Sequence, residues 1–220
     1  MDRNDLSLML KGACFLNLSL SPKTLSILNL YLDELQRWAL VFNLVGQHDS
    51  ATVIQRHILD SLAISHLLPA GGSFVDLGSG AGFPGFILAA AEPGREYVLV
   101  EVRRKRANFL REVARSTGIK NIMVREGRVE SLSKQDGLVY GFDVVTTRAT
   151  WSTSQFLAFS APFLKTDGIA LTMQGPRKGG STLIEDTDCD ALGFDLDGTH
   201  DYSLPFGEGD RCALLFKKRG

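Results

Sequence analysis

Three cysteines, at positions 14, 189 and 212, are too few and too far apart to build a disulfide framework or a paired-cysteine metal site. No apolar run approaches the ~20 residues of a bilayer-spanning helix, because Gly, Pro or a charged residue interrupts every candidate. The opening Met-Asp-Arg-Asn-Asp is acidic and polar, where a secretion signal would start basic. A reducing cytoplasm, with no membrane attachment, is therefore the expected setting. No Gly-x-Ser-x-Gly elbow and no Walker loop occurs, which removes the common hydrolase and NTPase readings. No other His, Cys or carboxylate stands at metal-ligand spacing from His57, so no metal site is expected. Internal repeats and low-complexity tracts are missing too.

What remains is a chain of 220 residues, 44% hydrophobic and 22% charged, which are proportions that bury a core. Its length allows one α/β domain plus an appended element. The formal net charge of −1 hides an uneven distribution. Between Arg95 and Arg128, ten Lys/Arg stand against four Glu, while Glu185 to Asp201 holds seven acidic residues and no Lys or Arg. One basic face could therefore meet an anion. Charge alone reads Arg103 to Arg115 at least as readily as the solvated face of an amphipathic helix.

The first seventy residues read as helix. Ser21-Pro22 is a start signal, and Leu25, Leu28, Leu32, Leu35 and Ala39 then mark one apolar face. A second helix is expected from about Ser50 to Leu68, with Val53, Ile54, Ile58, Leu62 and Leu67 inward. Pro69-Ala70-Gly71-Gly72 reads as a linker, dividing a helical extension (1–70) from an α/β domain (71–220). Beyond it, short apolar runs at Phe74–Leu77, Tyr97–Val102, Asn121–Val124, Phe142–Thr146 and Ile169–Met173 read as strands. Helix-like stretches at Phe83–Ala91 and Arg104–Ser116 lie between the first three. That alternation predicts a parallel sheet covered on both faces. Thr199–Leu204 and Cys212–Phe216 are joined by a polar loop and should pair antiparallel.

The strongest motif is Asp76-Leu77-Gly78-Ser79-Gly80-Ala81-Gly82-Phe83-Pro84-Gly85, between the first strand and its helix. Glycines at 78, 80 and 82 permit a sharp turn with positive φ and let backbone approach a ligand. Such a turn at the carboxyl edge of a parallel strand is where open α/β sheets bind nucleotides. Two cofactors compete: Gly80-x-Gly82-x-x-Gly85 matches a dinucleotide fingerprint, whereas Asp-x-Gly-x-Gly-x-Gly is the form found in S-adenosylmethionine-dependent methyltransferases and fits better. Glu101, ending the next strand, can accept hydrogen bonds from both ribose hydroxyls of either cofactor. Gly127-Arg128-Val129-Glu130, after the third strand, would face an adenine ring. Arg148, at the mouth of the fourth strand, must be paired or in contact with an anion. In Arg56-His57-Ile58-Leu59-Asp60-Ser61, helical spacing sets Arg56 over Asp60 and His57 over Ser61.

Arg-His-Ile-Leu-Asp-Ser, the glycine motif, Lys105-Arg106 with Phe109-Leu110, Arg128-Val129-Glu130 and Thr147-Arg148-Ala149 occur in that order. Together with Trp38 and Asn43-Leu44, they resemble the bacterial small-subunit ribosomal RNA methyltransferase G family, also called glucose-inhibited division protein B. The resemblance implies a Rossmann-like class I methyltransferase fold: a mostly parallel seven-stranded sheet with an antiparallel C-terminal strand, plus an N-terminal helical extension. It implies methyl transfer from S-adenosylmethionine to N7 of a guanine in 16S rRNA, free or within the small ribosomal subunit. Gly78, Phe83, Val129, Glu130 and Arg148 would contact the cofactor, beside Gly80, Gly82 and Glu101. Arg56, His57, Asp60, Arg103, Arg104 and Arg106 are the candidate RNA contacts. A monomer with no protein partner is expected. Many members carry Lys where this chain has Gln174, and Arg177 and Lys178 are the nearest substitutes. Read as a surface pair with Arg56, Asp60 should matter to methylation and little to stability. An NAD(P)-dependent oxidoreductase and a non-catalytic RNA-binding module are the rival readings.

Overall fold

The computed structural model describes every residue except 1, 43, 45, 47–48, 135–137, 140, 149 and 177–188. Seven strands form one sheet: β1 (Ser73–Leu77), β2 (Glu96–Glu101), β3 (Ile122–Glu126), β4 (Phe142–Arg148), β5 (Leu164–Gln174), β6 (Phe194–Ser203) and β7 (Asp210–Lys218). Their order is β3-β2-β1-β4-β5-β7-β6. Pairings among β1 to β5 are parallel, and β7 runs antiparallel to both β5 and β6. The predicted antiparallel pair at the C-terminus is thus present, and its two strands are longer than the apolar pattern suggested. The order reverses between β1 and β4, and at such a switch point the carboxyl ends of the strands leave a crevice.

Strand alternation divides the core. On β1, Phe74 faces one side, while Val75 and Leu77 face the other. The first side is covered by α1 (Arg3–Phe15), α2 (Pro22–Ala39), α3 (Ser50–Val53), α4 (Leu59–Ala63), α5 (Gly85–Ala91) and α6 (Arg104–Thr117). The second is covered by α7 (Val129–Leu132) and α8 (Thr153–Ser160). Helix α2 begins as its sequence requires, with the Ser21 hydroxyl accepting from Thr24 N–H and Pro22 in the first turn. Helix α8 was not anticipated, although Ser152 and Gln155 form a reciprocal cap that marks its start. Among the described residues no helix is long and apolar enough to cross a membrane.

The helix expected from Ser50 to Leu68 is broken into pieces. Between α3 and α4 the segment Ile54–Ile58 is a π-helical turn, with Leu59 N–H donating to the Ile54 carbonyl five residues back. A π turn inserts an extra residue, which shifts the face that the following positions present. That offset decides where Arg56 and Asp60 point.

The N-terminal helices share a hydrophobic core with the sheet. Tyr31 of α2 is fully buried, stacked on Phe86 at 5.0 Å and edge-on to Phe83 and Phe109. Its hydroxyl donates to the Ala81 carbonyl at 2.7 Å, inside the glycine turn. Burial raises this phenol far above its ordinary pKa, so it remains a donor. Tyr31→Phe keeps the ring and strands a buried carbonyl. Chemical denaturation should show a loss of about 1–3 kcal/mol, and unchanged stability would mean that α2 does not brace the turn.

Candidate active site

The glycine turn is fixed from three sides. Glu101, at the end of β2 and 3% exposed, accepts from Gly80 N–H at 2.9 Å and from Arg103 N–H at 2.7 Å. Asp76, at 1% exposure, accepts from Gly85 N–H at 3.1 Å and from the Thr146 hydroxyl at 3.3 Å, which ties β1 to α5 and β4. Tyr31 holds Ala81 from the helical side. Gly80 takes φ +59°, and a Cβ placed there would meet no atom closer than 3.9 Å. Its free side is therefore a cradle that a larger residue would fill. Gly82 differs: a Cβ there would strike the Phe86 side chain at 2.8 Å, so its smallness serves packing under the turn.

Beside the turn lies a cavity of about 300 Å³. Val100 to Arg103 form one wall; Gly127 to Glu130 form another; Gly78, Arg106, Thr150 and Trp151 complete it, so that of the turn's expected contacts Gly78 lines the cavity and Gly80 and Gly82 do not. Val129 is buried and apolar, whereas Glu130 is exposed. A buried carboxylate, an apolar wall and an open glycine cradle are the parts that an adenosine-containing cofactor needs. Thr150 and Trp151 were missed from sequence, although an aromatic just past a strand's carboxyl end was a usable signal.

A second cluster adjoins the turn on the helical side. Arg148 does not line the cavity. Its Nη1 donates to Asp60 Oδ2 at 3.3 Å and to the Arg56 carbonyl at 3.4 Å, and its guanidinium lies 4.9 Å from the Phe83 ring centroid. Asp60 is 4% exposed and also accepts from the Tyr202 hydroxyl at 2.8 Å, with Arg211 Nε at 4.0 Å. Burial raises the Asp60 pKa, opposed by Arg148, Tyr202 and Arg211. Arg56 pairs instead with Glu208 at 2.5 Å. The expected Arg56–Asp60 surface pair is therefore corrected: the π turn swings Asp60 inward and leaves Arg56 exposed. His57 and Ser61 do stay together, the Ser61 hydroxyl donating to the His57 carbonyl at 2.6 Å, while the His57 ring packs on Phe83 at 4.9 Å. Burial, with Arg148 nearby, lowers the His57 pKa to about 4, so the ring is neutral at physiological pH. Phe83 is enclosed by Tyr31, His57 and Arg148 and does not line the cavity.

The crevice at the switch point, an acidic end on β2 and the glycine turn together describe a nucleotide-cofactor edge. A profile of the family described as "GidB: rRNA small subunit methyltransferase G" matches residues 24–203. The chain belongs to that family. A member from Halorhodospira halophila, named Ribosomal RNA small subunit methyltransferase G, is 38% identical over 162 residues, which is 74% of this chain and 75% of that one. One of the same name from Lachnoclostridium phytofermentans is 31% identical and spans 97% of this chain and 89% of its own. Among solved structures, M. jannaschii TYW2 in complex with AdoMet matches with TM-score 0.59 at 16% identity, covering 76% of this chain and 77% of its own. A SAM dependent methyltransferase from Aquifex aeolicus matches with TM-score 0.55 at 14% identity, covering 76% and 93%. At such identities the likeness is one of fold, and that fold is the Rossmann-like methyltransferase sheet. Gln174 Nε2 donates to Thr153 Oγ1 at 3.1 Å. Arg177 and Lys178 lie outside the described residues.

Two outcomes follow from this geometry. Asp60→Ala removes the carboxylate between Arg148 and Arg211, and breaking a buried pair from one side costs about 3–5 kcal/mol. A marked fall in melting temperature is expected, contrary to a surface role, and an unchanged one would return Asp60 to the surface. Asp76 gives a pH signature. Burial pushes its pKa up to about 7, so the folded state keeps a proton that the unfolded chain loses above its ordinary value. Its contribution to stability therefore falls as pH rises from about 4 to about 7. Asp76→Asn should melt increasingly above wild type as pH rises through that window, and parallel curves would contradict the shift.

Proposed function

We propose that this chain transfers the methyl group of S-adenosylmethionine to N7 of a guanine in 16S rRNA, with the cavity between Glu101 and Val129 as the cofactor site. The observation that carries the reading is the Glu101 carboxylate, buried at the cavity wall and bonded to Gly80 N–H beside an open glycine cradle. Its oxygens retain lone pairs for two ribose hydroxyls. Val129 offers the adenine an apolar surface, and Glu130 reads its amino edge. Gly78 and Gly80 let the cofactor approach the backbone, Gly82 holds the turn over α5, and Phe83 and Arg148 brace that turn from the helical side. The cofactor supplies an electrophilic sulfonium methyl.

Guanine N7 has an in-plane lone pair and no proton to lose. The positive charge leaving sulfur reappears on the methylated base, so no general base is required. The residues of the chain act by holding the base in line and keeping water out, which is catalysis by proximity and orientation. Arg103 and Arg106 line the cofactor cavity and also a neighbouring groove with Arg104, Lys105, Val41, Phe42 and Leu44. Lys105 sits over the Phe42 ring at 4.6 Å, and Val41 is exposed. Cations interleaved with apolar and aromatic surface suit a splayed, single-stranded RNA segment. Arg56 adds an exposed cation, and Asp60 and His57 act from beneath the surface. Membership of the methyltransferase family weighs against a dehydrogenase, and the cavity weighs against an RNA module without cofactor. A cytoplasmic setting follows from this substrate, and we take the working unit to be a monomer.

Gly80→Val would fill the cradle and force a branched residue to φ +59°. Calorimetric titration should show S-adenosylmethionine affinity lost from a protein that still folds; unchanged affinity would remove this site. Charge reversal at Arg103, Arg104 and Arg106 leaves the Arg103 backbone bond to Glu101 in place. RNA binding should weaken, with the log–log salt slope lower by about 0.7 to 0.9 for each phosphate no longer neutralised. An unchanged slope would make the cluster a solvated helix face.

A further inference from the structure

A second cavity, of about 340 Å³, lies at the opposite edge of the sheet, where α2 begins, α5 ends and the turns enter β2 and β3. Glu96, on its wall, opens β2, whereas Glu101 ends that strand. Five residues of strand put the two sites roughly 16 Å apart.

The residue that needs explaining is Arg95. It lines this cavity, is only 6% exposed, and has no hydrogen-bond partner at Nε or Nη1. Its guanidinium lies 5.3 Å from the Phe74 ring centroid. Among the described residues it makes no ion pair, although the exposed Glu96 lines the same cavity. The neighbouring Tyr97 phenol lies close enough to interact with Arg95 but supplies no counter-charge, because burial, only partly opposed by Arg95, pushes its pKa up to about 12. A desolvated cation without a counter-ion is costly, and one aromatic face returns only part of that cost.

Lys23 and Lys120 line the same cavity, and the positive end of the 18-residue α2, capped by Ser21, borders it. A helix N-terminus favours an anion. The loop carrying Arg95 is held by the protein itself, because the Asn121 side-chain amide donates to the carbonyls of Ala89, Glu92 and Arg95 at 3.1, 3.3 and 2.9 Å. Three cations against Glu96 leave an excess of two, which balances a phosphomonoester of about −1.5 to −2 and more than balances the single charge of an RNA phosphodiester.

We propose that this cavity binds a phosphate group, held by Arg95 with Lys23 and Lys120 closing over it. The phosphate comes either from the RNA backbone, as an anchor remote from the reacting base, or from a free phosphate or phosphorylated metabolite. The first source rests on the RNA substrate proposed above; the second does not.

The test is thermal melting in inorganic phosphate against sodium chloride of equal ionic strength, for wild type, Arg95→Met and Lys23→Gln/Lys120→Gln. Wild type should melt about 3–6 °C higher in phosphate at ten times its Kd. Arg95→Met should melt no lower than wild type in chloride, having shed an uncompensated charge, and should not respond to phosphate. The lysine variant should keep wild-type melting in chloride and lose most of the response, which provides the readout if Arg95→Met does not fold. Salt dependence of binding to a 16S rRNA fragment then separates the sources. A lower slope in the lysine variant identifies the RNA backbone; an unchanged slope with an abolished phosphate response identifies the free ligand. Equal wild-type melting in the two salts together with an unchanged slope overturns the proposal, as does a phosphate response that both variants keep.

Discussion

One buried carboxylate holds the working edge of this protein together. Glu101 accepts from Gly80 and Arg103 at once, so it clamps the glycine turn of β1 to the entry of α6. A glycine-rich turn is the most entropically expensive backbone to order, and this one is held by the protein's own bonds. Asp76 and Tyr31 finish the task from below and from the helical layer. Preorganisation of this kind lowers what binding must spend on ordering. It also explains why the helices before β1 belong to the same working unit as the sheet.

The Asp60 cluster shows the same principle at longer range. It joins the π turn before α4, the end of β4 and the β6–β7 hairpin through Arg148, Tyr202 and Arg211. Three segments far apart in the chain are thus locked beside Phe83, which packs under the glycine turn. The chemistry proposed for guanine N7 needs no proton transfer, so accuracy of placement is what the fold has to supply.

Much of this was legible in the residues. Alternating apolar strands and the spacing from Gly80 to Glu101 located the sheet edge, and Ser21-Pro22 marked the start of α2. Local patterns carry that information because turn chemistry, capping and strand period are local physics. The fate of Asp60 was not legible: its partner Tyr202 lies 142 residues away, and a π turn just before it shifts the face that Asp60 presents. Arg148 was read as an arginine that must find a partner or an anion, but that Asp60 would be the partner depended on the same turn. Phe83 and Gly82 were placed in the right motif, yet only packing against Tyr31, Phe86 and Leu110 reveals that they support the turn from behind.

Titration of Glu101→Gln with S-adenosylmethionine, with NADH as the competing cofactor, probes the clamp itself. The amide can no longer accept on both sides, so one bond to the turn and one to the ribose disappear together. Charge-assisted bonds of this kind are worth about 1.5–3 kcal/mol each, so S-adenosylmethionine should bind roughly ten- to a hundredfold more weakly than to wild type. NADH should bind neither protein. Wild-type affinity for S-adenosylmethionine in a folded Glu101→Gln protein would contradict the assignment of this cavity and of the carboxylate that shapes it.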